Sequence, residues 1–85
     1  MYNYLISIDN SPKAFIKTCR MIESHFDKLK KEKLLVDVDG STIQIYTLGK
    51  QSINIYDDYD YCSVYIKSDI NLDEFLADKR TDFSF

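Results

Sequence analysis

Glycine and proline are almost missing from this chain: Gly40, Gly49 and Pro12 are all it has in 85 residues. That scarcity leaves few loops and predicts regular elements joined by tight turns. It also excludes a glycine-rich phosphate loop. Histidine is represented by His25 alone and cysteine by Cys19 and Cys62, a set that offers no zinc-binding spacing. No apolar stretch approaches the roughly 18 residues of a membrane span, and no basic segment followed by an apolar run opens the sequence. Neither a signal peptide nor a membrane partner is expected. The reading is therefore a cytoplasmic protein whose two thiols are reduced and sit in the core. At this length there is room for one hydrophobic core, hence a single domain over residues 1–85.

What is present is an ordinary globular mixture, 45% hydrophobic and 29% charged, which argues against disorder. Seven tyrosines and five phenylalanines must supply much of the core or of a binding face. Charge is unevenly spread. Residues 1–33 carry four acids and seven bases (+3), and residues 34–85 carry ten acids and four bases (−6), so the net −3 conceals a dipolar molecule.

Tyr2 to Ile8 alternates as a strand should, with Tyr2, Tyr4, Ile6 and Ile8 on one face. Ser11-Pro12 is a strong helix start: the serine caps free amides, and the proline at the first helical position loses nothing by lacking an N–H. Phe15, Cys19, Ile22, Phe26 and Leu29 follow in steps of four and three, one stripe of a long helix running from about residue 12 to about 31. Beyond it, Leu34–Val38 and Ser41–Leu48 flank Asp39-Gly40, a pair suited to a two-residue type I′ hairpin. Ile43 and Ile45 are expected to face the core, as are Ile53 and Ile55 in the next strand and Cys62, Val64 and Ile66 in the last. Gly49-Lys50 and Asp57–Asp60 mark the intervening turns. Asn71 is set to cap a short second helix bearing Leu72, Phe75 and Leu76. The tail Thr81–Phe85 is expected to fray or to tuck a phenylalanine into the core. The fold predicted is α+β: strand, long N-terminal helix, meander, short helix, with the long helix packed on a mainly antiparallel sheet of four to five strands.

The run Leu34–Tyr46, with Asp37-Val38-Asp39-Gly40-Ser41 at its centre, resembles the first motif of haloacid dehalogenase-type phosphatases. That likeness implies a nucleophilic Asp37 and an acid–base Asp39. It covers about nine residues of 85, however, and such motifs follow the first strand of a parallel sheet with helices between strands. Here another strand follows at once, and the Asp57-Asp58 pair lies too near for the intervening elements. The stretch reads as a hairpin and the chain as no enzyme. His25 lacks a sequence partner, the serines form no nucleophile elbow, and Asp57–Asp60 lacks the ligands of a calcium loop. No metal or other cofactor is expected. The row Lys13, Lys17 and Arg20 on the helix reads as a solvated face, so no direct nucleic-acid binding is expected.

One constellation points to function. Tyr46, Tyr56, Tyr59, Tyr61 and Tyr65 are expected on one sheet face and its edge, beside Asp57, Asp58 and Asp60, with Asp69 nearby. Tyrosine gives large contact area at low entropy cost, and carboxylates around it would steer a basic partner. In size, charge and lack of catalytic groups the chain is similar to the small immunity proteins that bacteria make against nuclease toxins. The likeness implies a non-enzymatic inhibitor docking an acidic, tyrosine-rich face onto a basic protein such as a toxin nuclease. A phage-type inhibitor of a host defence enzyme would use the same physics. From a different class, a self-associating regulatory or small-ligand domain would use the tyrosine face as a dimer seam, so the sequence leaves monomer and homodimer open.

Overall fold

The computed structural model describes residues 1–78, and its elements are β1 (Tyr2–Ser7), α1 (Pro12–His25), β2 (Lys30–Val36), β3 (Thr42–Leu48), β4 (Gln51–Asp58), β5 (Ser63–Ser68) and α2 (Asp73–Asp78). The fold is α+β. The five strands form one sheet in the order β1-β5-β4-β3-β2, and every pairing is antiparallel. β2 to β5 are a meander, while β1 pairs with β5 at the far edge. The connection from β1 to β2 must therefore cross the whole sheet, and α1 makes that crossing over the central strand β4. The expected phenylalanine tail lies outside the described residues.

α1 begins as its sequence dictates: the Ala14 N–H donates to Ser11 Oγ at 3.0 Å and Pro12 opens the first turn. Ala14, Phe15, Thr18, Cys19 and Ile22 are buried along one stripe. The helix then stops at His25, with Phe26 extended at φ −111°, ψ 107°. Fourteen residues span about 21 Å, against the roughly 30 Å expected of a helix reaching residue 31. The lysine-rich segment is drawn into the sheet instead, where Lys30 pairs with Thr47 and Lys31 with Tyr46. Phe26 and Leu29 still pack on the core, but from the connection rather than from a helix. Sheet pairing here outweighs lysine's helical preference.

The β2–β3 corner is also not the two-residue turn expected. The Asp37 N–H donates to Ser41 O (2.8 Å) and the Gly40 N–H to Asp37 O (3.1 Å), leaving Val38, Asp39 and Gly40 as a three-residue loop. Only Gly40 has positive φ, +91°, the pattern of a type I turn completed by a glycine bulge. The β3–β4 corner is the two-residue one. Leu48 pairs with Gln51, and Gly49 alone has positive φ (+63°), as in a type II′ turn.

That second corner sets the register and corrects the facing of β3. Counting back from Leu48 and Gln51 pairs Tyr46 with Ile53, Ile45 with Asn54, Gln44 with Ile55 and Ile43 with Tyr56. Directly paired residues share a face, so Ile43 and Ile45 cannot join Ile53 and Ile55 in the core. Tyr46 and Gln44 do so. Gln44 is tolerated there because its Nε2 donates to Glu32 O at 2.7 Å, serving a carbonyl freed by the β2 irregularity between Lys31 and Leu34. Cys62 is likewise not inward. It lies in the β4–β5 turn, exposed and with φ +52°, so only Cys19 is a core thiol. At the other end of the chain, Asn71 Oδ1 accepts from the Asp73 N–H (2.8 Å), and the Leu72 N–H donates to Tyr4 Oη (2.8 Å), fastening α2 to β1.

Candidate functional site

The face of the sheet turned away from α1 carries the alternate residues of β4 and β5. Tyr56 and Tyr65 stand directly opposite each other, and their rings stack at 4.7 Å between centroids and 10° between planes. Tyr61 meets Tyr65 edge-on, at 6.3 Å and 82°. The Lys67 ammonium lies 5.7 Å from the centre of the Tyr56 ring and 5.9 Å from that of Tyr65, within range of cation–π attraction to both. Ile43 lies opposite Tyr56 and Leu5 opposite Tyr65, widening the apolar surface on either side.

Asp58 fixes this cluster from its end. The Tyr65 hydroxyl donates to Asp58 Oδ2 at 2.7 Å, and Oδ1 accepts from the N–H groups of Asp60 (2.9 Å) and Tyr61 (3.3 Å). Burial raises the Asp58 carboxyl pKa, but those donors outweigh it and leave the group below its ordinary range. Burial, then the adjoining carboxylate, pushes the Tyr65 phenol upward. Two of the three rings are thus held before any partner arrives, which reduces the ordering cost of binding through them.

A second feature adjoins the first. In an antiparallel meander alternate turns fall at the same end of the sheet, so the 38–40 loop and the 59–62 turn meet. The Tyr59 N–H donates to Ser41 Oγ at 2.8 Å, and a Cβ placed on Gly40 would lie 3.3 Å from the Tyr59 ring. The segment leading into α1 joins them, with Asn10 Nδ2 donating to Asp57 Oδ1 (2.9 Å) and Asp58 O (3.0 Å). Three connections therefore gather Asp9, Asp37, Asp39 and Asp60 at one end of the molecule, all exposed. Reading Asp37 and Asp39 only as a hairpin corner missed this. The signal that finds them is the parity of turns in a meander.

Of the residues singled out in the sequence, Tyr56, Asp58, Tyr61 and Tyr65 come together on the open face. Tyr59 and Asp60 stand at its acidic end, exposed. Tyr46 does not belong there. It is fully buried under α1, its hydroxyl donating to Glu23 Oε2 at 2.5 Å and lying 3.5 Å from Cys19 O. Asp57 is also on the helix side, 3% exposed and held by Asn10. Asp37 and Asp39 serve their own loop, Asp37 Oδ1 accepting from the Val38 N–H (2.7 Å) and Asp39 Oδ1 from the Ser41 N–H (2.9 Å). His25 packs against Phe75 and Phe26, with centroids at 4.4 and 4.7 Å. Among the described residues no acid, cysteine or histidine grouping is suited to a metal ion, and no helix is long and apolar enough to cross a membrane. No protein-family model, curated protein or solved structure matches the chain.

Proposed function

We propose that this chain is a non-enzymatic binding protein that docks its tyrosine face, together with the adjoining acidic end, onto a basic protein surface. The supporting observation is the Tyr56–Tyr65–Tyr61 cluster, stacked and braced by Asp58 on a sheet face that no other element among the described residues covers, beside four exposed aspartates. Pre-ordered tyrosines are anchors of the kind that dominate interface energies, and the carboxylates supply a long-range field that speeds encounter with a cationic partner. An immunity protein that neutralises a nuclease toxin has this requirement, because a nuclease presents a basic surface to nucleic acid. A phage-type inhibitor of a host nuclease has the same one.

The partner, captured from the source cell with the tagged chain, is measured by surface-plasmon kinetics at two salt concentrations. Tyr56→Ala and Tyr61→Ala are expected to speed dissociation, each weakening binding by about 1–3 kcal/mol. Asp39→Lys combined with Asp60→Lys is expected to slow association, with a deficit that shrinks as salt rises. Unaltered kinetics in all these variants would remove the tyrosine face and acidic end as the interface.

A further inference from the structure

We infer that β2 is a self-complementary edge and pairs antiparallel with β2 of a second copy, joining two sheets into one of ten strands. Among the described residues β2 lies at the edge of the sheet, with β3 on one side only. Edge strands ordinarily carry guards against pairing, and the first half of β2 has them in Lys30, Lys31, Lys33 and the irregularity between Lys31 and Leu34. The second half has none. Leu34, Leu35 and Val36 are 45%, 44% and 66% exposed, and Val38 beyond them is fully so.

The backbone there is open for pairing. Because the Asp37 N–H bonds Ser41 O, the alternation of an antiparallel ladder turns the N–H and C=O of Leu35 toward β3 and those of Leu34 and Val36 outward. A two-fold axis through Leu35 uses all of these outward groups. It sets Leu35 against the partner's Leu35 and Leu34 against the partner's Val36, so Leu34 and Val36 exchange four hydrogen bonds across the seam.

The charges select this register. The same axis places Lys33 against the partner's Asp37, and does so twice by symmetry. Lys33 and Asp37 are both exposed, and neither is in an ion pair among the described residues. The order lysine, three apolar residues, aspartate thus matches itself when reversed, whereas it places lysine beside lysine in a parallel, in-register pairing. Lys33 opposes association with a basic strand and favours the antiparallel copy. β2 is separated from Tyr56 and Tyr65 by β3, so this seam leaves the tyrosine cluster open and shares only Asp37 with the adjoining acidic end.

Sedimentation velocity over a concentration series, with residue-resolved amide exchange, tests the pairing. The wild-type chain is expected to dimerise as concentration rises, with exchange at Leu34 and Val36 slowing in step. Lys33→Asp and Asp37→Lys each create two like-charge pairs, and each is expected to weaken the dimer about tenfold. Mixed in equal amounts, the two variants regain complementary pairs at both positions and are expected to form a heterodimer of wild-type affinity. Val36→Pro removes an outward N–H without touching the β3 ladder, and is expected to leave a folded monomer. A wild-type chain that stays monomeric overturns the proposal. So does a dimer whose Leu34 and Val36 exchange is independent of concentration, which would place the seam elsewhere, or a mixture of variants no more associated than either alone.

Discussion

At the scale of single residues, the chain's few special positions act through more than one contact. Gly40 has φ +91°, a region that costs a side-chain-bearing residue about 1–2 kcal/mol, and a Cβ there would press on the Tyr59 ring. Gly40→Val is therefore expected to lower stability by about 1–2 kcal/mol and, in a domain of this size, the melting temperature by about 5 °C or more. A thermal melt unchanged from wild type would remove the loop geometry described for residues 38–40. The sequence made this position legible as a turn glycine, but not which turn. Asp39-Gly40 fits a two-residue corner as well as a three-residue one, and the choice rests on Asp37 bonding Ser41 rather than Val38 pairing with Ser41. Tyrosine was ambiguous for a related reason. Its ring suits a core and its hydroxyl suits water, so Tyr46 and Tyr56 look alike until a partner for the buried hydroxyl is known. Glu23 is that partner.

At the scale of elements, phase matters more than composition. The helical stripe of Phe15, Cys19 and Ile22 was legible because three residues at helical spacing can face one way only in a helix. Its end was not, since Phe26 and Leu29 continue the spacing without continuing the helix. The strands were legible as strands, yet the facing of β3 depended on the length of the Gly49-Lys50 corner. A two-residue corner makes Ile45 the neighbour of Asn54, which puts Ile45 on the open face. That parity was available in the sequence, and it also decides that Tyr46 leaves the candidate site. Helix burial gives a direct test. Ile22 is fully buried and Ile16, on the same helix, is 48% exposed. Ile22→Ala is expected to cost about 2–5 kcal/mol and Ile16→Ala under about 1 kcal/mol, measured by denaturant unfolding. Equal losses would mean that α1 is rotated about its axis from the orientation described.

At the scale of the whole molecule, exposed acids gather at one end of the sheet, and two phenol–carboxylate bonds tie helix and turns to it. These bonds set the pH range of stability. The hydrogen bond from Tyr46, with Lys31 3.3 Å away, holds the Glu23 carboxyl below its ordinary 4.5, and Asp58 lies below its ordinary 3.8 despite burial. For groups whose folded pKa is depressed, the stabilisation is present above the unfolded value and is lost as pH falls through the folded one. Stability should therefore decline from about pH 4.5 downward. On the alkaline side burial, then the neighbouring Glu23, pushes Tyr46 far above its ordinary 10.0, and burial followed by Asp58 does the same for Tyr65. An acid held neutral in the folded state gives up that stabilisation once the unfolded chain begins to ionise, so stability should fall again above about pH 10. Tyr46→Phe keeps the ring and removes the hydroxyl that links α1 to β3. The stability difference between wild type and this variant is expected to be largest between about pH 4.5 and 10 and to narrow outside both limits. Urea titrations across that range measure it. A difference independent of pH would mean that the hydroxyl acts through Cys19 O rather than through its bond to Glu23, and no difference at any pH would leave the ring's packing as all that Tyr46 contributes to holding the helix on the sheet.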